Sequence, residues 1–107
     1  MAKNDVSHDI DVPKWDVALA ALAKEECTKK GAGMSVDDLK RLAIAHSTRF
    51  DDLVVTIFEL TLAGEWRYRD AVGKVKKLTR KDINDLYVNG RIHEKDMKGF
   101  DGTWSPA

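Results

Sequence analysis

Between positions 67 and 81, seven cationic side chains (Arg67, Arg69, Lys74, Lys76, Lys77, Arg80 and Lys81) stand against a single carboxylate, Asp70. Lysine and arginine at this density make and break no bonds by themselves. They neutralise phosphates and release the counterions condensed on a polyanion, which supplies most sequence-independent affinity for nucleic acid. The imbalance is local, because the whole chain has 18 Lys/Arg and 18 Asp/Glu and no formal net charge. Residues 1–64 carry eight basic and eleven acidic side chains, residues 65–107 ten and seven. Such asymmetry points to a polyanion or an acidic partner. The plainer alternative is a solvated hairpin and helix start whose charges keep the protein in solution.

Groups for catalysis are scarce. The only histidines are His8, His46 and His93, and the only thiol is Cys27. No nucleophile is placed beside a base held by a third group. His46 continues an apolar stripe at a helix end and reads as a partly buried cap residue. His8 with Asp9 and Asp11 lacks the second histidine or cysteine of a credible metal site, and reads as solvated. The residue four after His93 is Met97, so no zincin pair forms. Gly31, Gly33 and Gly64 read as helix stops rather than as a phosphate loop, and Cys27 as a small buried side chain. The expectation is a non-enzymatic protein with no metal and no cofactor.

These side chains need a scaffold, and 107 residues suffice for one domain. A composition of 43% hydrophobic and 34% charged residues excludes a disordered chain. The longest apolar stretch, 53–63, is broken by Thr56, Glu59 and Thr61 and falls short of the ~20 residues of a membrane span. The polar, acidic start of the chain has no apolar core of a secretory signal. A lone cysteine fits a reducing compartment. The expected location is cytoplasmic, with no membrane partner.

Residues 1–10 are expected to form a flexible lead-in, with Asp11-Val12-Pro13 starting a helix. Val12, Trp15, Leu19, Leu22 and Ala23 make its apolar stripe, and Lys29, Lys30 and Gly31 end it. Ser35 and Asp38 form a capping box for a second helix with a stripe of Val36, Leu39, Leu42, Ala43 and His46. Ser47 and Thr48 then break and restart the helix. The third helix, about 49–63, carries Phe50, Leu53, Val54, Val55, Ile57, Phe58, Leu60 and Leu62 around most of its circumference, so it should be the most buried. From Glu65 the period changes to two, predicting strands at about 65–69 and 74–78 with Trp66 and Tyr68 facing the core. Thr79 and Asp82 start a further helix with Ile83, Leu86 and Tyr87 on its face. Asn89-Gly90 either ends that helix or turns a hairpin over 86–93. The tail, with Ile92, Met97, Phe100 and Trp104, should fold back over the core. The predicted fold is mainly α with one small β-hairpin near 65–78, a single domain over 11–107.

The run Ser35-Val36-Asp37-Asp38-Leu39-Lys40-Arg41-Leu42-Ala43, a turn through Ala45-His46-Ser47-Thr48, and Arg49-Phe50-Asp51-Asp52-Leu53-Val54 resembles a helix-turn-helix. With Ala63-Gly64-Glu65-Trp66-Arg67-Tyr68-Arg69 as the approach to a wing, residues 35–78 resemble a winged helix-turn-helix domain. The small residue usual within the first helix of the pair is here Lys40, and the glycine usual in the turn is Ile44. The resemblance implies a DNA-binding or protein-binding regulator.

A recognition helix over 49–63 would turn Ser47, Thr48, Arg49, Asp52, Thr56 and Glu59 outward. Two carboxylates and one arginine suit base reading poorly, so the expected nucleic-acid contact is the basic hairpin. The competing expectation is a protein-interaction or homodimerisation module, using an uncovered side of helix 49–63 or the Trp104 tail.

Overall fold

In the computed structural model, which describes residues 15–107, three helices frame the core. The predicted helix start at Asp11–Pro13, the lead-in 1–10 and the His8 group lie outside the described residues. Helix α1 (Val17–Lys30) is N-capped by Asp16, whose side chain accepts the Leu19 amide at 3.0 Å. It ends on Gly31 in the left-handed conformation (φ 70°), whose amide donates to Cys27 O. Ala23 and Cys27 are its buried side chains.

Helix α2 (Val36–Ala45) opens on the complete capping box expected of Ser35 and Asp38. The Ser35 amide donates to Asp38 Oδ2 at 2.9 Å, and the Asp38 amide returns to Ser35 Oγ at 3.2 Å. Lys30 closes an ion pair on the same carboxylate. Burial alone would push the Asp38 carboxyl up. The bonds from Lys30 and Ser35 outweigh it and hold the pKa at about 2. A depressed carboxylate stabilises the fold above its unfolded pKa of ~3.9, and that stability is lost as pH falls toward 2. Asp38→Asn should therefore lower stability at pH 7 by about 1–2 kcal/mol. The deficit should shrink as denaturant titrations move from pH 5 to pH 2, and a pH-independent deficit would contradict this reading.

The α2–α3 turn closes with the Thr48 amide on Ala43 O (2.9 Å) and the Ser47 amide on Ile44 O (3.3 Å), the paired bonds of a Schellman stop. Its left-handed residue is Ser47 (φ 54°), not Ile44. The residue four positions earlier is then Ala43, which is buried, rather than the exposed Lys40. Ser47 holds the left-handed position that glycine usually takes at such a helix stop. His46, expected to be partly buried, caps α2 but is exposed.

Helix α3 (Phe50–Leu62) is the central element, as its apolar circumference demands. Asp51, Leu53, Val54, Thr56, Ile57, Phe58 and Leu60 are all buried. Strand β1 (Trp66–Arg69) follows, with Trp66 and Tyr68 inward and Arg67 and Arg69 outward. Its partner is not residues 74–78. It pairs antiparallel with the C-terminal strand β4 (Thr103–Pro106), Tyr68 lying opposite Trp104. Isolated bridges extend this pair on both sides, Met34 with Trp104 and Val75 with Arg69. The predicted second hairpin strand thus shrinks to one bridge. Lys74, Lys76 and Lys77 leave that segment no face to bury, whereas β4 supplies Trp104.

Helix α4 (Arg80–Asn84) starts on the expected Thr79–Asp82 capping box. It stops short of Leu86 and Tyr87, because Asn89-Gly90 turns a hairpin of β2 (Tyr87–Val88) and β3 (Arg91–Ile92). Asn89 (φ 53°) and Gly90 (φ 77°) are both left-handed, as a type I′ turn requires. The β content is therefore two small antiparallel pairs rather than one hairpin. A 3-10 turn (Glu94–Met97) leads to the tail, which covers the core with Ile92, Met97 and Trp104.

Candidate nucleic-acid interface

The seven predicted cations do not form one equivalent set. Arg80 and Lys81 lie on α4 and are engaged. Arg80 grips Glu59 of α3 with both guanidinium ends, one bond measuring 2.9 Å, and the Glu59 side chain is largely covered. Lys81 reaches Asp85 one turn on at 2.6 Å, in a pair exposed on both sides. An exposed pair of that kind is weak and screened by salt. Arg80 is thus a structural tie between α3 and α4, and Lys81 is a lesser candidate.

The other five flank one loop. Arg67 and Arg69 project from the outer face of β1, and Lys74, Lys76 and Lys77 stand exposed on the return segment. Among the described residues none of the five forms an ion pair. The Val75–Arg69 bridge holds the return segment against β1 through two backbone bonds, the Lys76 amide on Tyr68 O and the Asp70 amide on Lys74 O, both 2.9 Å. Arg67, Lys76 and Lys77 share the lining of a shallow groove of about 190 Å³, floored by Leu62, Val75 and Leu78. The five cations are therefore carried on a hairpin braced by backbone bonds, and Arg69 Nη1 also donates to Gly73 O at 3.3 Å.

The loop has its own internal tie. Asp70 Oδ1 accepts the amides of Val72 (3.1 Å) and Lys74 (2.9 Å). The Asp70 amide donates to Lys74 O, and the Gly73 amide to Asp70 O, both at 2.9 Å. The segment's one carboxylate thus serves its backbone. Val72, at the tip, is 86% exposed. Sequence reasoning passed over this residue, although an apolar side chain between Ala71 and Gly73 inside a basic run was visible.

Trp66 and Tyr68 are buried, as alternation required, so neither is available to stack on a base. The Tyr68 hydroxyl accepts the Gly102 amide at 2.9 Å, tying β1 to the approach to β4.

Helix α3 presents little to a ligand. Thr56, expected outward, is buried, with its hydroxyl donating to Asp52 O. Glu59 is taken by Arg80. Asp51 is buried between Arg91 (2.7 Å) and Arg49 (3.4 Å). Burial raises the Asp51 pKa, but those two guanidinium groups outweigh it and hold the carboxyl below its ordinary value. Arg91 thereby fastens the second hairpin to α3, a link that no spacing rule connects across forty residues. Asp52 and Arg49 remain exposed.

Comparison of the chain with models of protein families, with curated proteins and with solved structures finds no match. The reading of this site therefore rests on its geometry.

Of the two surfaces expected to drive dimerisation, the Trp104 tail is covered by the chain itself, Trp104 being fully enclosed beside Phe58, Tyr68 and Phe100. Helix α3 buries one face against α1, α2 and β1, while Phe50, Val55 and Leu62 stay half-buried. Cys27 is also buried, which pushes its thiol pKa up and suits a packing role. Among the described residues no helix is long and apolar enough to cross a membrane.

Proposed function

We propose that this chain is a non-catalytic, winged-helix-like nucleic-acid-binding domain, acting as a regulator, whose contacts are made by the hairpin 67–77. The observation that carries the reading is the group of five cations, Arg67, Arg69, Lys74, Lys76 and Lys77, on one backbone-braced hairpin with no ion pair among the described residues. Cations committed to structure sit against carboxylates, as Arg80 does. Cations kept apart from carboxylates are available to phosphates. The left-handed Ser47, four residues after a buried Ala43, supports the helix-turn-helix part of the reading.

Binding of this type is weak in sequence preference, because α3 offers Asp52 rather than a row of base-reading side chains. Contacts to about four phosphates give a log–log salt slope of about −4 on duplex DNA. Fluorescence anisotropy of a labelled duplex, titrated with protein at several salt concentrations, measures that slope. Affinity indifferent to salt, or no binding at ~50 mM salt, would overturn the proposal.

A further inference from the structure

We infer that Val72 is a wedge, the tip of the 70–74 loop entering the minor groove of duplex DNA and setting its side chain against a base step. The inference rests on the nucleic-acid reading of the hairpin and adds to it a contact that is not electrostatic. Three observations converge on it. The first is exposure: Val72 is 86% exposed, the most exposed of the large hydrophobic side chains among the described residues. The second is rigidity. Asp70 binds the Val72 and Lys74 amides, the Gly73 amide closes onto Asp70 O, and Arg69 Nη1 donates to Gly73 O at 3.3 Å. Gly73 (φ 85°) takes the left-handed turn that lets these bonds form. The side chain is thus presented on a fixed loop.

The third observation is the arrangement of charge. The tip itself is Ala71-Val72-Gly73, small and uncharged, while Arg69, Lys74, Lys76 and Lys77 follow on either side. A slender apolar tip with cations behind it matches a minor groove ~6 Å wide between two phosphate walls. Apolar side chains inserted between base steps unstack them, at least cost at flexible pyrimidine–purine steps. A lipid surface fits less well. Interfacial anchoring scales with buried apolar area, and here only Ala71 and Val72 are offered, because Trp66 and Tyr68 are buried.

The test uses a duplex carrying 2-aminopurine at a central TA step, whose fluorescence rises on unstacking, with the full chain and its Val72→Ala variant. The wild type should bind and raise the fluorescence. Val72→Ala should bind about tenfold more weakly, with the fluorescence rise lost. Its salt slope should stay unchanged, since no charge is removed. Equal affinity and no fluorescence change with either protein would overturn the wedge while leaving the hairpin reading intact. Absence of duplex binding by the wild type at low salt would overturn both. Binding to phosphatidylserine-containing vesicles without duplex binding would reassign the tip to lipid and overturn the wedge.

Discussion

Replacing Lys74, Lys76 and Lys77 together by glutamate should abolish duplex binding at ~100 mM salt and leave the fold unchanged. The hairpin from Arg67 to Lys77 holds five cations and Asp70, and the three reversals turn its balance from net positive to net negative. Each lost lysine–phosphate contact lowers the salt slope by about one, so the residual slope should fall to about −1. All three side chains are exposed, and exposed substitutions usually change stability by about 0.5 kcal/mol or less. The thermal transition should therefore move little. A charge-matched control separates local contact from net charge: Lys24, Lys95 and Lys98, also exposed, replaced by glutamate. That control carries the same net charge as the test variant and should keep most of the affinity. Equal losses in both variants would mean that only overall charge matters. Unchanged binding in the hairpin variant would remove the hairpin from the interface.

How much of this was legible in the sequence follows from the range of the interactions. Caps are local, and Ser35–Asp38 and Thr79–Asp82 formed as their spacing required. Periodicity is also local, and it placed Trp66, Tyr68 and the buried length of α3 correctly. Long-range pairing left no such trace. The partner of β1 lies more than thirty residues away at β4, and nothing in Thr103-Trp104-Ser105-Pro106 names its neighbour. The site divided in the same way. The basic run was visible, but whether a given cation was engaged depended on Glu59 lying 21 positions before Arg80. Asn89-Gly90 fitted both a helix stop and a hairpin, because a left-handed residue suits either, and only the pairing of Tyr87–Val88 with Arg91–Ile92 decides between them.

Trp104→Ala should cost about 3–5 kcal/mol, enough to bring a domain of ordinary stability near unfolding. Trp104 has no exposed surface and contacts three aromatic rings, Phe58 at 5.6 Å, Tyr68 at 4.6 Å and Phe100 at 6.2 Å between centroids. Its backbone bonds Met34 on one side, and its strand pairs with β1 on the other. Truncation opens a cavity where helix, sheet and tail meet. Trp104→Phe should behave differently. The indole Nε1 finds no acceptor among the described residues, so phenylalanine forfeits no hydrogen bond and relieves a buried donor. Its cost should be about 1 kcal/mol, from the smaller ring alone. Urea titrations of the two variants measure the contrast. The same pair tests whether the sheet supports the interface, because β4 braces β1 and β1 carries Arg67 and Arg69. Trp104→Phe should retain duplex affinity, whereas Trp104→Ala should lose affinity together with the cooperative unfolding transition. A Trp104→Ala protein that unfolds cooperatively and binds normally would show that the hairpin keeps its shape without the C-terminal strand.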